Sequence, residues 1–186
     1  MNPIKNKKDL EATIDEMRNF AYSYLEKYNP SKQQLKIYLY KKLIKKKQKI
    51  SNKKEIFYLI DSVINTLVEQ KFLSDEYYSD AKSRTFLRKG YSLNKIRYNL
   101  IKKGIDEKYI KASISKIKEK ESDPDFFSAI KLCRRRRIGP NREENNRSLF
   151  YKKDISILAR SGFSYEISKK ILDMPKKEFI KFCKMI

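Results

Sequence analysis

Three carboxylates, Asp75, Glu76 and Asp80, fall within about one and a half helical turns, and Cys133 directly precedes four arginines, Arg134 to Arg137. These are the two places where residue type and spacing could support chemistry. Clustered carboxylates can share general-acid and general-base work. A thiol beside guanidinium groups can hold a lowered pKa and act as a nucleophile. Both clusters also have a plainer reading, and that reading is preferred. Asp75 and Glu76 follow Ser74 at a predicted helix start, where negative charge is favourable beside the helix dipole. Cys133 lies in phase with Phe126, Phe127 and Ile130, which predicts a buried, inert thiol. The chain has no histidine, the usual acid–base group at neutral pH. It has no glycine-rich phosphate loop and no metal-ligand spacing. No catalytic, cofactor-binding or metal-binding residue is assigned, and a binding protein is expected rather than an enzyme.

Charge points to the class of partner. The 186 residues carry 45 Lys and Arg against 23 Asp and Glu, a formal net charge of +22. Such a field attracts nucleic acid, an anionic membrane or an acidic protein surface. Much of the lysine excess has a compositional reading, since a chain rich in Lys, Asn, Ile and Tyr also follows from an AT-rich genome. The arginine run does not. Arg134 to Arg137 spread around a whole helical turn, so at least two must face solvent. They read either as a phosphate-binding turn or as a solvated helix end that stabilises the C-terminal dipole. Lys45, Lys46, Lys47 and Lys49 read as a solvated run. Arg84, Arg88, Lys89, Lys95, Arg97, Lys102 and Lys103 gather mid-chain, on faces opposite Ile96 and Leu100. Tyr77, Tyr91 and Tyr98 interleave with them. Those tyrosines could stack on bases, though their spacing fits packing better. No apolar run reaches the roughly 20 residues of a membrane span, and no basic amphipathic helix with aromatic anchors favours a membrane surface. The polar start from Met1 to Leu10 lacks a secretory h-region. With only Cys133 and Cys183, a reduced cytoplasmic location is expected.

The elements that must position these residues are helices. All four glycines open the same phrase: Gly90-Tyr91-Ser92, Gly104-Ile105-Asp106, Gly139-Pro140-Asn141 and Gly162-Phe163-Ser164. Glycine ends a helix in the left-handed conformation, an apolar residue packs back, and Ser, Asp or Asn caps the next helix. Leu10, Ile14, Met17, Ala21, Tyr24 and Tyr28 form one helical stripe that ends before Pro30. Ser31 with Gln34, and Asn52 with Glu55, read as capping boxes. Ile56, Leu59, Ile60, Val63, Ile64, Leu67 and Val68 give the strongest helical stripe. Asn141 to Arg147 reads as an exposed loop or frayed helix start, and Pro175 as a first helical position. No segment alternates as a strand does.

The blocks repeat. Ala21 leads to Ser31, Leu35 and Leu39, and Ala81 leads to Ser92, Ile96 and Leu100 at nearly the same offsets. Gly104-Ile105-Asp106 answers Gly162-Phe163-Ser164. The expected fold is all-α: a tandem, elongated array of three three-helix repeats at 9–72, 73–120 and 122–174, with a short C-terminal helical tail at 175–186. Each unit is too small to bury its apolar face alone, so neighbours must stack.

Against this background the chain resembles the RecX family of regulatory proteins. The phrase Phe72-Leu73-Ser74-Asp75-Glu76-Tyr77-Tyr78-Ser79-Asp80-Ala81 is similar to the family's run of an apolar pair, acidic residues, aromatics and alanine. Arg88-Lys89-Gly90, Ile96, Leu100 and Lys102 to Asp106 resemble its second repeat. Leu158 to Ser164 resembles its third, and Tyr24-Leu25, Pro30-Ser31 and Leu35 its first. The ordered set covers roughly residues 15–172. Lys45 to Lys54 and Arg136 to Arg147 depart from the family pattern. The resemblance implies tandem three-helix repeats that bind a RecA-type recombinase filament on DNA, lodge in its groove and suppress ATPase and strand exchange. It also implies a monomeric partner of that filament, touching single- or double-stranded DNA through its basic surface. The alternative is a basic helical array that binds nucleic acid without a recombinase.

Overall fold

In the computed structural model, the backbone is described over residues 7–45 and 53–186, and the side chains over 14–44 and 54–186. The Lys46, Lys47 and Lys49 part of the basic run and the Asn52 cap lie outside the described residues. The described chain is helical with no strand: α1 (Lys7–Leu25), α2 (Lys32–Lys45), α3 (Lys53–Glu69), α4 (Asp75–Arg88), α5 (Leu93–Ile101), α6 (Glu107–Lys120), α7 (Pro124–Arg136), α8 (Glu144–Arg160), α9 (Tyr165–Leu172) and α10 (Lys176–Cys183). A 3-10 turn spans Gly139–Asn141. The chain divides into two compact units, Met1–Tyr78 with Lys103–Ile105, and Ser79–Lys102 with Asp106–Ile186.

In the first unit α1, α2 and α3 enclose a core of Met17, Ala21, Leu35, Leu39, Leu43, Ile60, Val63 and Leu67 with their neighbours. These are the positions that the helical period selects. The α1 stripe ends one turn sooner than expected: the helix stops at Leu25, and Tyr28 lies in the turn, exposed, with its ring against Tyr24. The Ser31 capping box forms as expected. Ser31 Oγ accepts from the Gln34 N–H at 3.2 Å, and Gln34 Oε1 accepts from the Ser31 N–H at 3.1 Å.

The start of α2 is then closed by residues far along the chain. Asp75 Oδ1 accepts from the Lys32 N–H at 2.9 Å, and the Ser31 hydroxyl donates to the Lys103 carbonyl at 2.7 Å. Gly104 follows with φ +73°, so close to Gln33 that an added Cβ would collide with it. The second unit repeats the device at the start of α5. Ser92 Oγ accepts from the Lys95 N–H at 3.1 Å, Asp125 Oδ1 accepts from the Leu93 N–H at 2.7 Å, and the Ser92 N–H donates to the Ser161 carbonyl at 3.1 Å. Gly162, at φ +90°, lies against Ser92 and Lys95 where no Cβ fits. Burial pushes the Asp125 carboxyl above its ordinary range, although the Leu93 N–H pulls the other way.

Elsewhere in the second unit, Phe126, Ile130, Leu132, Cys133, Leu158, Ile171, Leu172 and Phe179 form a core among α7, α8, α9 and α10. Asp106 and Ser164 cap α6 and α9 as their phrases predict. The phrase Gly139-Pro140-Asn141 behaves differently. Arg137, at φ 53°, takes the left-handed conformation at the α7 C-cap, and Gly139, at φ 57°, takes it again two residues on. Asn141 lies in the 3-10 turn and donates from Nδ2 to the Arg134 carbonyl, while Glu143 stands at the α8 N-cap without a side-chain bond. The reason is Asp154, only 1% exposed, which accepts from the Gly139 N–H at 2.8 Å and from the Arg142 guanidinium at 2.8 and 2.7 Å. The segment Asn141 to Arg147, expected as an exposed loop or frayed helix start, runs into the first turn of α8 and is fastened at both ends: Asn141 donates to the Arg134 carbonyl, and Arg147 to the Leu172 and Met174 carbonyls. Pro175 sits one residue earlier than expected, at the N-cap of α10.

A polar contact ties α4 to α6. Ser79 Oγ donates to the Tyr109 carbonyl, Ser113 Oγ lies 2.6 Å from Asp80 Oδ1, and Lys116 Nζ lies 2.7 Å from Asp80 Oδ2. Burial alone would raise the Asp80 carboxyl, but the bonds from Lys116 and Ser113 outweigh it and hold the group below its ordinary value of 3.8.

Two outcomes follow from this packing. Asp125→Ala should cost about 1 kcal/mol, as loss of a helix-capping carboxylate does. Gly162→Ala should cost about 2 to 3 kcal/mol, combining left-handed strain with displacement of the α5 cap. Urea denaturation followed by circular dichroism measures both; unchanged midpoints would contradict the capping account. The folded Asp80 value lies below the unfolded one, so its stabilisation is complete above the unfolded value and lost as pH falls through the folded one. The stability gap between wild type and Asp80→Asn should therefore shrink from about pH 6 to about pH 2. A gap that widens on acidification would contradict the sign.

Candidate nucleic-acid interface

The basic candidates fall into three groups. Arg84 and Arg88 lie one turn apart on α4, both exposed, and Lys89 follows the helix end. On α5, Lys95 is half-buried and Arg97 exposed; Lys102, at the C-cap, is exposed, and Lys103 lies in the turn beyond. Arg134, Arg135 and Arg136 form the last turn of α7, with Arg137 at its C-cap, and all four are exposed. The arrangement comes from burial on the opposite faces. Ile96 and Leu100 are wholly buried, which turns Arg97, Tyr98 and Lys102 outward. Leu132 and Cys133 are wholly buried, so the arginines that follow emerge at the end of α7.

Local partners change what each cation can offer. Arg97 Nε lies 3.0 and 3.3 Å from the two Glu107 carboxylate oxygens, which offsets part of its charge. Arg134 donates to the Cys183 carbonyl at 3.1 Å, which ties the end of α7 to α10. Lys95 and Lys102 instead place their ammonium groups 5.3 and 4.6 Å from the centre of the Tyr98 ring. A hydrogen bond and the charge of Lys102 hold the Tyr98 hydroxyl below the ordinary tyrosine value. Tyr98 and Tyr77 are exposed, against the packing role their spacing suggested, while Tyr91 is half-buried with its ring on Phe86.

The two clusters with chemical potential take structural places. Asp75 caps α2, and Asp80 bonds Ser113 and Lys116. Cys133 is buried, and burial pushes its thiol up to about 12, the reverse of an activated nucleophile. Sequence reasoning missed Asp154 and the distant roles of Asp75 and Asp125. The signal for those two was present: an acidic residue one or two places after the caps Ser74 and Asp123. Among the described residues no helix is long and apolar enough to cross a membrane, and no group of His, Cys, Asp and Glu is placed to hold a metal ion.

The fold and this surface define an all-helical protein whose distinctive chemistry is a set of exposed cations. No family model matches the chain. It is 29% identical over 164 residues to a protein of Myxococcus xanthus named regulatory protein RecX, an alignment covering 84% of each chain. It is 27% identical over 113 residues to a Clostridium perfringens protein of the same name, across 61% of this chain and 51% of that one. The crystal structure of RecX from Lactobacillus salivarius superposes with a TM-score of 0.58, covering 95% of this chain and 99% of that one, at 19% identity. The chain is thus similar in sequence to proteins named regulatory protein RecX, and its fold is that of the RecX crystal structures.

Proposed function

We propose that this chain regulates a RecA-type recombinase, binding its filament on DNA and suppressing ATPase and strand exchange during recombination and repair. The observation that carries this reading is the kinship over most of the chain to a protein named as a RecX regulator. The exposed cations Arg84, Arg88, Lys89, Lys95, Lys102, Lys103 and Arg134 to Arg137 support it as the side that meets DNA or an acidic recombinase surface. In this reading the protein binds rather than catalyses, and works as a monomer in a reducing cytoplasm.

Three tandem repeats, at 9–72, 73–120 and 122–174, are part of the proposal. Ser31 and Ser92 cap α2 and α5, Asp75 and Asp125 bond the amides that follow them, and Gly104 and Gly162 lie against them. Equivalent roles at matching places in the sequence support one unit used repeatedly.

Pelleting of preformed recombinase–DNA filaments tests the reading. The protein should co-sediment with filaments at a salt concentration that already releases it from naked single strands, because contacts to protein add to the salt-sensitive contacts to phosphate. Equal release from both would assign the binding to DNA alone.

A further inference from the structure

The outer face of α5 carries one feature that a generic cationic surface does not need. Tyr98 is 48% exposed, lies on a helix whose other side is wholly buried, and has a lysine on either side in sequence, about one turn away. Ile101, half exposed, continues the same face. The neighbouring carboxylate, Glu107, is already engaged by Arg97.

We propose that Tyr98, with Lys95 and Lys102, is a stacking site for an unpaired base of single-stranded nucleic acid. The proposal rests on the reading that this chain works on DNA, and it names the form of DNA that α5 takes. The ring offers a flat apolar face to a base, and the two ammonium groups lie within reach of the flanking phosphates. The lysines now rest near the ring, 5.3 and 4.6 Å from its centre. An exposed cation–π contact is weaker than base–aromatic stacking, so a base displaces them and leaves their charge for phosphate. A single strand suits the site better than a duplex, because the faces of paired bases are covered by their neighbours. Charge complementarity alone would also admit an acidic protein surface, but that surface would leave the exposed Tyr98 ring without a partner.

The absence of tryptophan from this chain supplies the probe. Tyr98→Trp places a single indole at the site, and Tyr58→Trp places one on the exposed part of α3. Titration with oligothymidylate should quench the Tyr98→Trp emission with saturation and leave Tyr58→Trp unchanged, and duplex DNA of equal length should quench it less. In anisotropy measurements on labelled oligothymidylate, Tyr98→Ala should weaken binding about 5- to 150-fold. Tyr98→Phe, which keeps the ring, should bind like wild type. Unchanged emission while the oligonucleotide binds would overturn the proposal, as would equal quenching at both probes, equal quenching by duplex, or no binding of single strands. No recombinase is present in these experiments. If Tyr98→Ala still suppresses recombinase ATPase like wild type while the indole stays silent, the stacking site falls and filament regulation stands.

Discussion

A helix N-terminus is a cluster of unsatisfied amides, and the fold is organised around satisfying two of them from a distance. The first turns of α2 and α5 are each closed by a local serine, a carboxylate from a later helix, and a glycine turn from later still. The carboxylate fixes where the later helix begins. The glycine fixes how near the later turn can come, since a side chain there would collide with the cap. Neither contact is large, but both are directional, and buried polar groups tolerate little error in pairing. Apolar packing of Leu35, Leu39, Ile96 and Leu100 gives these helices their burial. The polar closures give them their register.

The same construction decides which cations remain available. Helices α5 and α7 bury one face completely, so basic residues at intervening positions have nowhere to go but outward. Some basic residues, on these helices and beyond them, are then used locally. Arg97 pairs with Glu107, and Arg142 pairs with buried Asp154. Lys102 and the arginines ending α7 stay exposed. A net charge of +22 is therefore a poor guide to a binding surface, and the positions left without an acidic neighbour are a better one.

Much of the fold is legible from local chemistry. Gly90, Gly104 and Gly162 each precede a working cap, because both ends of that phrase act within a few residues of themselves. The helical stripes of α2 and α3 appear as written for the same reason. Gly139 fails the pattern because its amide is claimed by Asp154, fifteen residues on, and no periodicity announces such a bond. Asp75 and Asp125 stand just after a cap, which was legible, but the amides they bond, those of Lys32 and Leu93, meet them only when the helices pack. The basic candidates were legible as residue types. Their availability was not, since the pairing of Arg97 and the exposure of Tyr98 depend on which faces meet.

The proposed function joins the similarity to proteins named as RecX regulators with the exposed cations. Its central claim is that the protein acts on an assembled filament, not on free DNA. The DNA-dependent ATPase of the cognate recombinase on preformed single-stranded filaments measures this directly, with this protein added well below the recombinase concentration. The account predicts a strong fall in ATPase at a small fraction of one copy per recombinase subunit. No change until enough protein is present to saturate the DNA would contradict it, and would make the chain a competitor for DNA.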